Sequence, residues 1–420
     1  MTTVLLTGAS GFIGSRLSAA LARKGCRVVA VSHRAGQVVG DFTKDIFPGD
    51  WTPRLQGVDV VINAVGIIRE LGQQTFRRLH TEAPIALFQA CAAAGVRRIV
   101  QISALGAEGG NTAYFRSKRE ADEFLMTSSL DWCIARPALI YGLNGGSAQL
   151  FDMLASLPII PTPGSGSQII QPVHIDDVIA ALVQLAIRRP SVRQIVPIVG
   201  GRALALRDFL LSLRRQMGLR STVVVPVPIA LMRVGAMAGD AVGSPILGRD
   251  TLTMLGAGNT GDAQPLAELL GRPPRDVDDF IEPHAANVVR TAAQARWLLP
   301  LLRFSIAIVW LWTGAVSAGL YPVESSYELL ARTGLTGLPA TIALYGAALL
   351  DFALGIATLA WRERRLLWLI QIALILSYSA IILFRLPEFW LHPYGPLLKN
   401  VPMLAAIYLL YVLEKPRWSM

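Results

Sequence analysis

The sequence predicts two parts: an α/β domain on a doubly wound parallel sheet with a small substrate subdomain, then an all-α bundle of four transmembrane helices. Three observations predict this. Short β-branched runs alternate with helical stretches through roughly residue 200. Four apolar runs follow residue 300. The 420 residues are 53% hydrophobic and only 16% charged, against about 25% charged in a soluble chain, so part of the chain must sit in lipid or in an unusually large core.

Taken in order, Val4–Leu6, Arg27–Val31, Val58–Ala64, Arg98–Ile102, Trp132–Ala135 and Gln194–Val199 read as strands. Each is apolar on both faces, as parallel strands covered by helices are. Ser15–Lys24, Ala83–Ala94 and Tyr114–Ser128 read as intervening helices, and the βα alternation implies the doubly wound sheet. From Ala138 the pattern loosens into a Pro- and Gly-rich loop, a hairpin over Gln168–His174, and mixed pieces through residue 285 that include Thr222–Val227. Residues 1–290 are expected to form one domain, with the substrate subdomain drawn from parts of 138–290, and residues 297–420 the membrane domain. The apolar runs 304–322, 340–361 and 366–384 reach the ~17–25 residues that a spanning helix needs, and 401–413 is short, extended by Leu397 and Leu398.

Charge gives the orientation. Arg290, Arg296, Arg303, Arg362, Arg364, Arg365, Lys415 and Arg417 flank one side, and Arg332, Arg385 and Lys399 the other. Under the positive-inside rule both ends face the cytoplasm. The N-terminus runs straight into a strand, with no signal-peptide pattern, so the expected location is the bacterial cytoplasmic (inner) membrane, crossed several times. The net charge of +10 is scattered rather than gathered into a basic stripe, which argues for attraction to a lipid bilayer and against nucleic acid. Cys26, Cys91 and Cys133 lie far apart with no metal-ligand spacing and read as buried thiols. No metal site is predicted; His392, a lone histidine, falls in an external loop.

Chemistry concentrates in three places. After the first strand stands Thr7-Gly8-Ala9-Ser10-Gly11-Phe12-Ile13-Gly14, then a helix. The glycines let backbone approach a pyrophosphate, and the helix start offers free N–H groups and a positive dipole. Gly8, Ser10, Gly11, Phe12, Ile13 and Gly14 are therefore candidate dinucleotide ligands. The strand Arg27–Val31 is followed by Ser32-His33-Arg34, with no carboxylate for a ribose 2′-hydroxyl. Arg34 either neutralises a 2′-phosphate, favouring NADP(H) over NAD(H), or faces solvent. Asp41 is placed near the adenine, and the turn Ala64-Val65-Gly66 beside the adenosine ribose. Finally, Ser103 ends a strand and Tyr114-Phe115-Arg116-Ser117-Lys118 opens a helix. The i, i+4 spacing puts Tyr114 and Lys118 on one face, where the Lys118 ammonium and an oxidised nicotinamide would favour the ionised phenol. Tyr114 could pass a proton to or from a carbonyl oxygen, Lys118 hold the nicotinamide ribose, and Ser103 hydrogen-bond the carbonyl. The alternative is a relic site that binds cofactor without turnover.

On Thr7–Gly14, Asn63–Gly66, Ser103–Gly106, Tyr114–Lys118, Arg136-Pro137 and His174–Val178, the first 285 residues resemble extended and atypical short-chain dehydrogenase/reductases (SDR), of the NAD-dependent epimerase/dehydratase type. Within that group they are most similar to the branch holding a nucleotide-binding accessory subunit of respiratory complex I. The resemblance implies a Rossmann fold, Pro137 beside the nicotinamide, and His174–Val178 closing the substrate subdomain onto the core, with His174 in a structural hydrogen bond. His80-Thr81-Glu82 departs from the pattern, standing where many members carry Asn. Residues from about 297 resemble DoxX-like membrane domains, most clearly in His392–Pro402. Asp351 sits near the middle of the second span, where a carboxylate costs roughly 2.5–3.5 kcal/mol on insertion scales. It is either a functional group, with Arg303, Gln371 and Lys399 as candidate partners, or a protonated acid bonded inside the bundle.

The expected function is a membrane-anchored NADP(H)-binding oxidoreductase or epimerase-like enzyme acting on a carbonyl or alcohol, a small-molecule or membrane-soluble substrate. The alternative is a non-catalytic NADPH-binding assembly or sensing protein of a membrane protein complex.

Overall fold

The computed structural model describes all residues except 34–37, 189–192, 242–252, 254, 257, 259, 362 and 415–420. Arg34, and Arg362, Lys415 and Arg417 of the charge pattern, lie outside the described residues. The chain divides into two compact units, Met1–Gln294 and Ala295–Met420.

In the first unit β1 (Thr3–Thr7), β2 (Arg27–Ser32), β3 (Val38–Val39), β4 (Val60–Asn63), β5 (Arg98–Ile102), β6 (Asp131–Pro137) and β7 (Gln194–Ile198) form one sheet of order β7-β6-β5-β4-β1-β2-β3. Every pairing is parallel. The order reverses between β1 and β4, so the crevice beyond their carboxyl ends is where such folds bind ligands. The register brings Thr7 opposite Asn63, and Asn63 opposite Gln101. Helices α1 (Phe12–Arg23), α2 (Ala83–Ala94), α3 (Ala113–Thr127) and α4 (Ile175–Ile187) cover the faces. Two apolar layers result. One joins Val4, Leu6, Leu17 and Leu21 to Val178 and Leu182, and the other joins Leu5, Val61 and Ile99 to Leu87, Phe88 and Leu125. A third core gathers Tyr141, Phe209 and Phe280 around α5 (Leu206–Gln216) in the smaller subdomain.

One expectation is corrected in this unit, and one element is added to it. Gln168–His174 is not a hairpin. Ile169–Ile170 pairs antiparallel with Leu204–Ala205, while Val173–His174 pairs parallel with Ile140–Tyr141. The bend places each half against a partner distant in sequence, which a local pattern does not reveal. The two-residue β3 is also new, too short to register as a periodic run.

Among the described residues three helices are long and apolar enough to cross a membrane: Ala286–Leu320, which begins in the first unit and runs into the second, and Gly337–Ala360 and Arg365–Arg385 in the second. Where a fourth span was expected, the described helix is shorter than the other three. The helix Asn400–Leu413 is apolar but has 14 residues, about 21 Å of helix against a hydrocarbon core of about 30 Å. Leu397 and Leu398, expected to extend it, are in turns. Trp368 and Gln371 are fully buried, while Leu349, Leu366 and Phe384 are exposed, so apolar side chains coat the outside as lipid requires. Asp351 is 2% exposed, and its Oδ1 has no partner among the described residues. Gln371, a candidate partner, is taken by Trp310 and Thr358.

Candidate active site

The turn from β1 into α1 is built from bare backbone. Gly8 has φ 66°, and a Cβ there would meet the Ala64 carbonyl oxygen at 2.9 Å. A Cβ on Gly14 would stand 2.1 Å from the Gly8 oxygen. The loop is pinned by Ala9 N–H donating to Val31 (3.2 Å) and Gly11 N–H to Gly8 (2.9 Å). Helix α1 then starts with Gly11 in extended backbone, no side-chain cap and no acid in its first turn. Its leading amides, from Phe12 and Ile13 onward, are left for an anion. Ser10 and Gly11 are exposed at the rim.

The neighbouring strand ends supply the sides of the crevice. Ser32, at the end of β2, is buried, and its Oγ has no partner among the described residues. His33 beside it is exposed. Asp41 is committed to its own turn: its carboxylate accepts from Thr43 N–H (2.9 Å) and Thr43 Oγ (2.7 Å) and lies 3.8 Å from Lys44. Burial pushes the Asp41 carboxyl up, but the Thr43 bonds with Lys44 and His33 outweigh it and hold it below the usual range. Past β4 the chain turns through Ala64, Val65 and Gly66, with Asn63 Oδ1 accepting from Val65 N–H (3.3 Å). An orphaned hydroxyl, glycine backbone that admits no Cβ and an uncapped helix start together fit a dinucleotide.

Tyr114 and Lys118 both lie in the first turns of α3, whose start is capped by Thr112. Lys118 is 4% exposed and donates to the Ile102 carbonyl at 3.1 Å. A Cβ on Gly66 would stand 3.2 Å from Lys118 Nζ and 3.6 Å from His80 Nε2, so the Gly66 turn lies against the Lys118 ammonium with little room for a side chain. Tyr114 is half-buried among Phe76, His80 and Phe115, whose rings lie 5.4–5.9 Å away edge-on. Burial, with the Asp122 charge behind it, pushes the Tyr114 phenol up to about 12. Burial pulls Lys118 down to about 8, against Asp122. Without nucleotide, Tyr114 therefore holds its proton, and Lys118 sits near the point of releasing one.

Ser103 makes bonds that the sequence did not reveal. Its N–H joins Ala135, and its Oγ donates to Asp122 Oδ2 at 2.6 Å. Asp122 is completely buried, and Arg136 reaches the same oxygen at 3.3 Å while bonding Glu108. Burial raises the Asp122 carboxyl against the pull of Ser103, Arg136 and Lys118. Toward any other group Ser103 can only accept until that bond is released. Pro137 is buried at the end of β6, its carbonyl taking the Leu105 N–H at 2.9 Å. His174 caps α4, with Nδ1 accepting from Asp176 N–H at 3.3 Å, as the structural reading expected.

Two residues escaped the sequence. Asp122 continues the Tyr114, Lys118 spacing by one more i+4 step, a signal that was present. His80 read as a departure, yet it is 1% exposed and fully engaged. Its Nε2 accepts from Ile67 N–H (3.0 Å) and its Nδ1 meets Ser117 Oγ (3.0 Å), whose own proton goes to the Tyr114 carbonyl (2.8 Å). The proton of the ring therefore sits on Nδ1. Burial and the Lys118 charge hold its pKa well below the ordinary value, so His80 is neutral. It ties the Gly66 turn to the head of α3.

Residues 8–151 match the NAD(P)H-binding family model, and residues 307–408 match the DoxX-like family. A ceramide reductase of Caulobacter vibrioides is 31% identical over 191 residues, 43% of this chain and 59% of that relative. The 40 kDa subunit of mitochondrial NADH-ubiquinone oxidoreductase of Neurospora crassa is 27% identical over 196 residues, 44% and 52% of the two chains. An epimerase family protein of Mycobacterium tuberculosis is 26% identical over 267 residues, 57% of this chain and 87% of that one. The chain spans only about half to three fifths of the length of the first curated relatives. Among solved structures, an NADPH-dependent quinone oxidoreductase of Escherichia coli complexed with NADPH superposes with TM-score 0.54 and 19% identity, over 68% of this chain and 99% of that one. UDP-glucuronic acid 4-epimerase of Bacillus cereus, with UDP-glucuronic acid and NAD, gives 0.52 and 18%, over 70% and 100%. These two show the fold alone. The chain therefore joins a Rossmann-type segment that matches an NAD(P)H-binding family model and resembles epimerase family proteins to a DoxX-like segment whose helices are long and apolar enough to cross a membrane.

Proposed function

We propose that this protein is a membrane-anchored, NADP(H)-dependent reductase of a membrane-soluble carbonyl compound, with Tyr114 as proton donor and Lys118 as the group that reloads it. The observation that carries this reading is the Lys118 ammonium held between the Ile102 carbonyl and the bare Gly66 turn, one helical turn from a protonated Tyr114. Bound nicotinamide nucleotide supplies the hydride. Tyr114 gives its hydroxyl proton to the carbonyl oxygen as the alkoxide develops, and the Lys118 ammonium, protonated below about pH 8, returns a proton to the phenolate. His80 stays neutral beside them and holds the Gly66 turn and the head of α3 in register. Asp122 holds the Ser103 hydroxyl, leaving an oxygen that accepts from the substrate or product hydroxyl. Preference for NADP(H) rests on Arg34 and on the lack of an acid after β2. The resemblance to a ceramide reductase and the spanning helices support a lipid-soluble substrate and a bacterial inner-membrane location with the Rossmann domain in the cytoplasm.

Tyr114→Phe tests the reading. Removing a general acid costs roughly 10²–10⁴-fold in turnover, while the NADPH dissociation constant stays within the error of wild type by calorimetry. Undiminished NADPH oxidation in Tyr114→Phe contradicts the proposal. The similarity to complex I subunits supports a second reading, a non-catalytic NADPH-binding member of a membrane assembly. It predicts normal assembly of Tyr114→Phe and no turnover even in wild type.

A further inference from the structure

Helix α6 (Ile229–Ala241) has the sequence IALMRVGAMAGDA, in which Arg233 and Asp240 are the only charges. Ile229, Leu231, Val234 and Met237 are 49%, 61%, 61% and 56% exposed. Of its described side chains Ala236 alone is buried. At 100° per residue the exposed four spread over more than half the circumference. The strand Val224–Val227 leads straight into this helix, with Val223 and Val225 exposed. Exposed Ile159 adjoins them, since Ile160 N–H donates to the Val223 carbonyl. A helix that is apolar all round is ordinarily a buried one, and a contiguous exposed apolar patch marks a binding surface.

Two observations say what covers it. Val224 packs in the same core as Val289 and Ala293. Both belong to the helix Ala286–Ala315, which continues as the first apolar spanning segment. The strand that leads into the patch thus packs on the same core as the start of the helix that continues into the apolar segment. From Leu219 to Ala241 the only charges are Arg220, Arg233 and Asp240, so the segment is poor in charge and has no acidic cluster that an anionic headgroup boundary would repel.

We infer that Ile159, Val223, Val225 and the exposed side of α6 form a membrane-interface surface of the nucleotide-binding unit, seated in the headgroup and outer acyl region of a lipid bilayer. It rests on the reading of a membrane-anchored reductase and gives that enzyme a substrate that reaches the site from the bilayer.

The three cysteines Cys26, Cys91 and Cys133 are buried, so single added thiols can be labelled. The full chain carrying Leu231→Cys, Val234→Cys or, as control, Lys24→Cys on the exposed end of α1 is labelled with bimane and placed in phosphatidylcholine–phosphatidylglycerol nanodiscs. Brominated acyl chains should quench most of the emission at 231 and 234, with iodide having little effect, and the control should behave oppositely. Iodide quenching at 231 and 234 without bromolipid quenching overturns the inference, because the surface is then in water. Protection from both quenchers also overturns it, because a second copy or another protein surface then covers α6. Neither readout depends on nucleotide or turnover, so it stands or falls apart from the role of Tyr114.

Discussion

Asn63 and Gln371 are both buried amides, one in each unit, and each uses its oxygen and its nitrogen. Asn63 accepts from Thr7 Oγ at 2.7 Å and donates to Gln101 at 2.8 Å, linking three strand ends beneath the nucleotide crevice. Gln371 accepts from Trp310 Nε1 at 3.0 Å and donates to Thr358 at 2.7 Å, linking three apolar helices. The bonds are alike, but the unfolded alternatives differ. Strand ends of a water-bounded domain exchange these bonds for water on unfolding, and a lost partner leaves an orphan costing about 1–3 kcal/mol. In lipid the separated helices find other partners, and such bonds average only about 0.6 kcal/mol. Buried polarity therefore fixes one geometry strongly at the nucleotide crevice and weakly in the bundle, where packing of Trp310, Leu354 and Trp368 carries the fold.

The sharpest break of this contrast is in the glycine turn. Gly14→Ala drives a Cβ into the Gly8 carbonyl. Overpacking of about 1–3 kcal/mol corresponds to a loss of roughly 10–100-fold in NADPH affinity, read by calorimetry, with detergent-resistant folding of the bundle unchanged. Next come the paired amides. Asn63→Leu should lower unfolding free energy by about 2–5 kcal/mol, two or more orphans' worth, and Gln371→Leu by about 1 kcal/mol for two bonds in lipid. Equal losses in denaturant titrations of the full chain would remove the contrast.

Titration sharpens it further. In the proposed mechanism Lys118 is a loaded acid below about pH 8, so reduction should fall about tenfold per unit above that pH. Lys118→Arg should shift that limb upward. His80 gives an effect confined to acid pH. Its folded pKa lies below the ordinary 6.5, so below pH 6.5 the unfolded chain takes up a proton that the folded chain refuses. Stability is full above pH 6.5 and declines below it by at most about 1.4 kcal/mol per pH unit. His80→Gln should flatten that decline in melting curves of the nucleotide-binding unit within the full chain.

How much was legible follows the same division. The strands and the glycine turn could be read because each imposes a local rule, β-branched runs for covered strands and bare backbone at Gly8 and Gly14. Tyr114 and Lys118 could be read from helical spacing. Asp122 and His80 could not be weighed, because their roles depend on Ser103, Ser117 and Ile67, brought close only by the sheet. The false hairpin at Gln168–His174 has the same origin, its partners Leu204–Ala205 and Ile140–Tyr141 being remote in sequence. In the bundle, periodicity was silent because inner and outer faces are both apolar. Length alone separated the 14-residue helix Asn400–Leu413 from the three longer ones.

The most direct test is calorimetric titration of NADPH and NADH into the full chain in lipid nanodiscs, with Arg34→Ala alongside. The account predicts tighter binding of NADPH, and a loss of about 10–100-fold for NADPH alone in Arg34→Ala, the worth of a charged hydrogen bond to a phosphate. Equal binding of both nucleotides, untouched by the substitution, would contradict the NADP(H) assignment, and binding of neither would contradict the reductase.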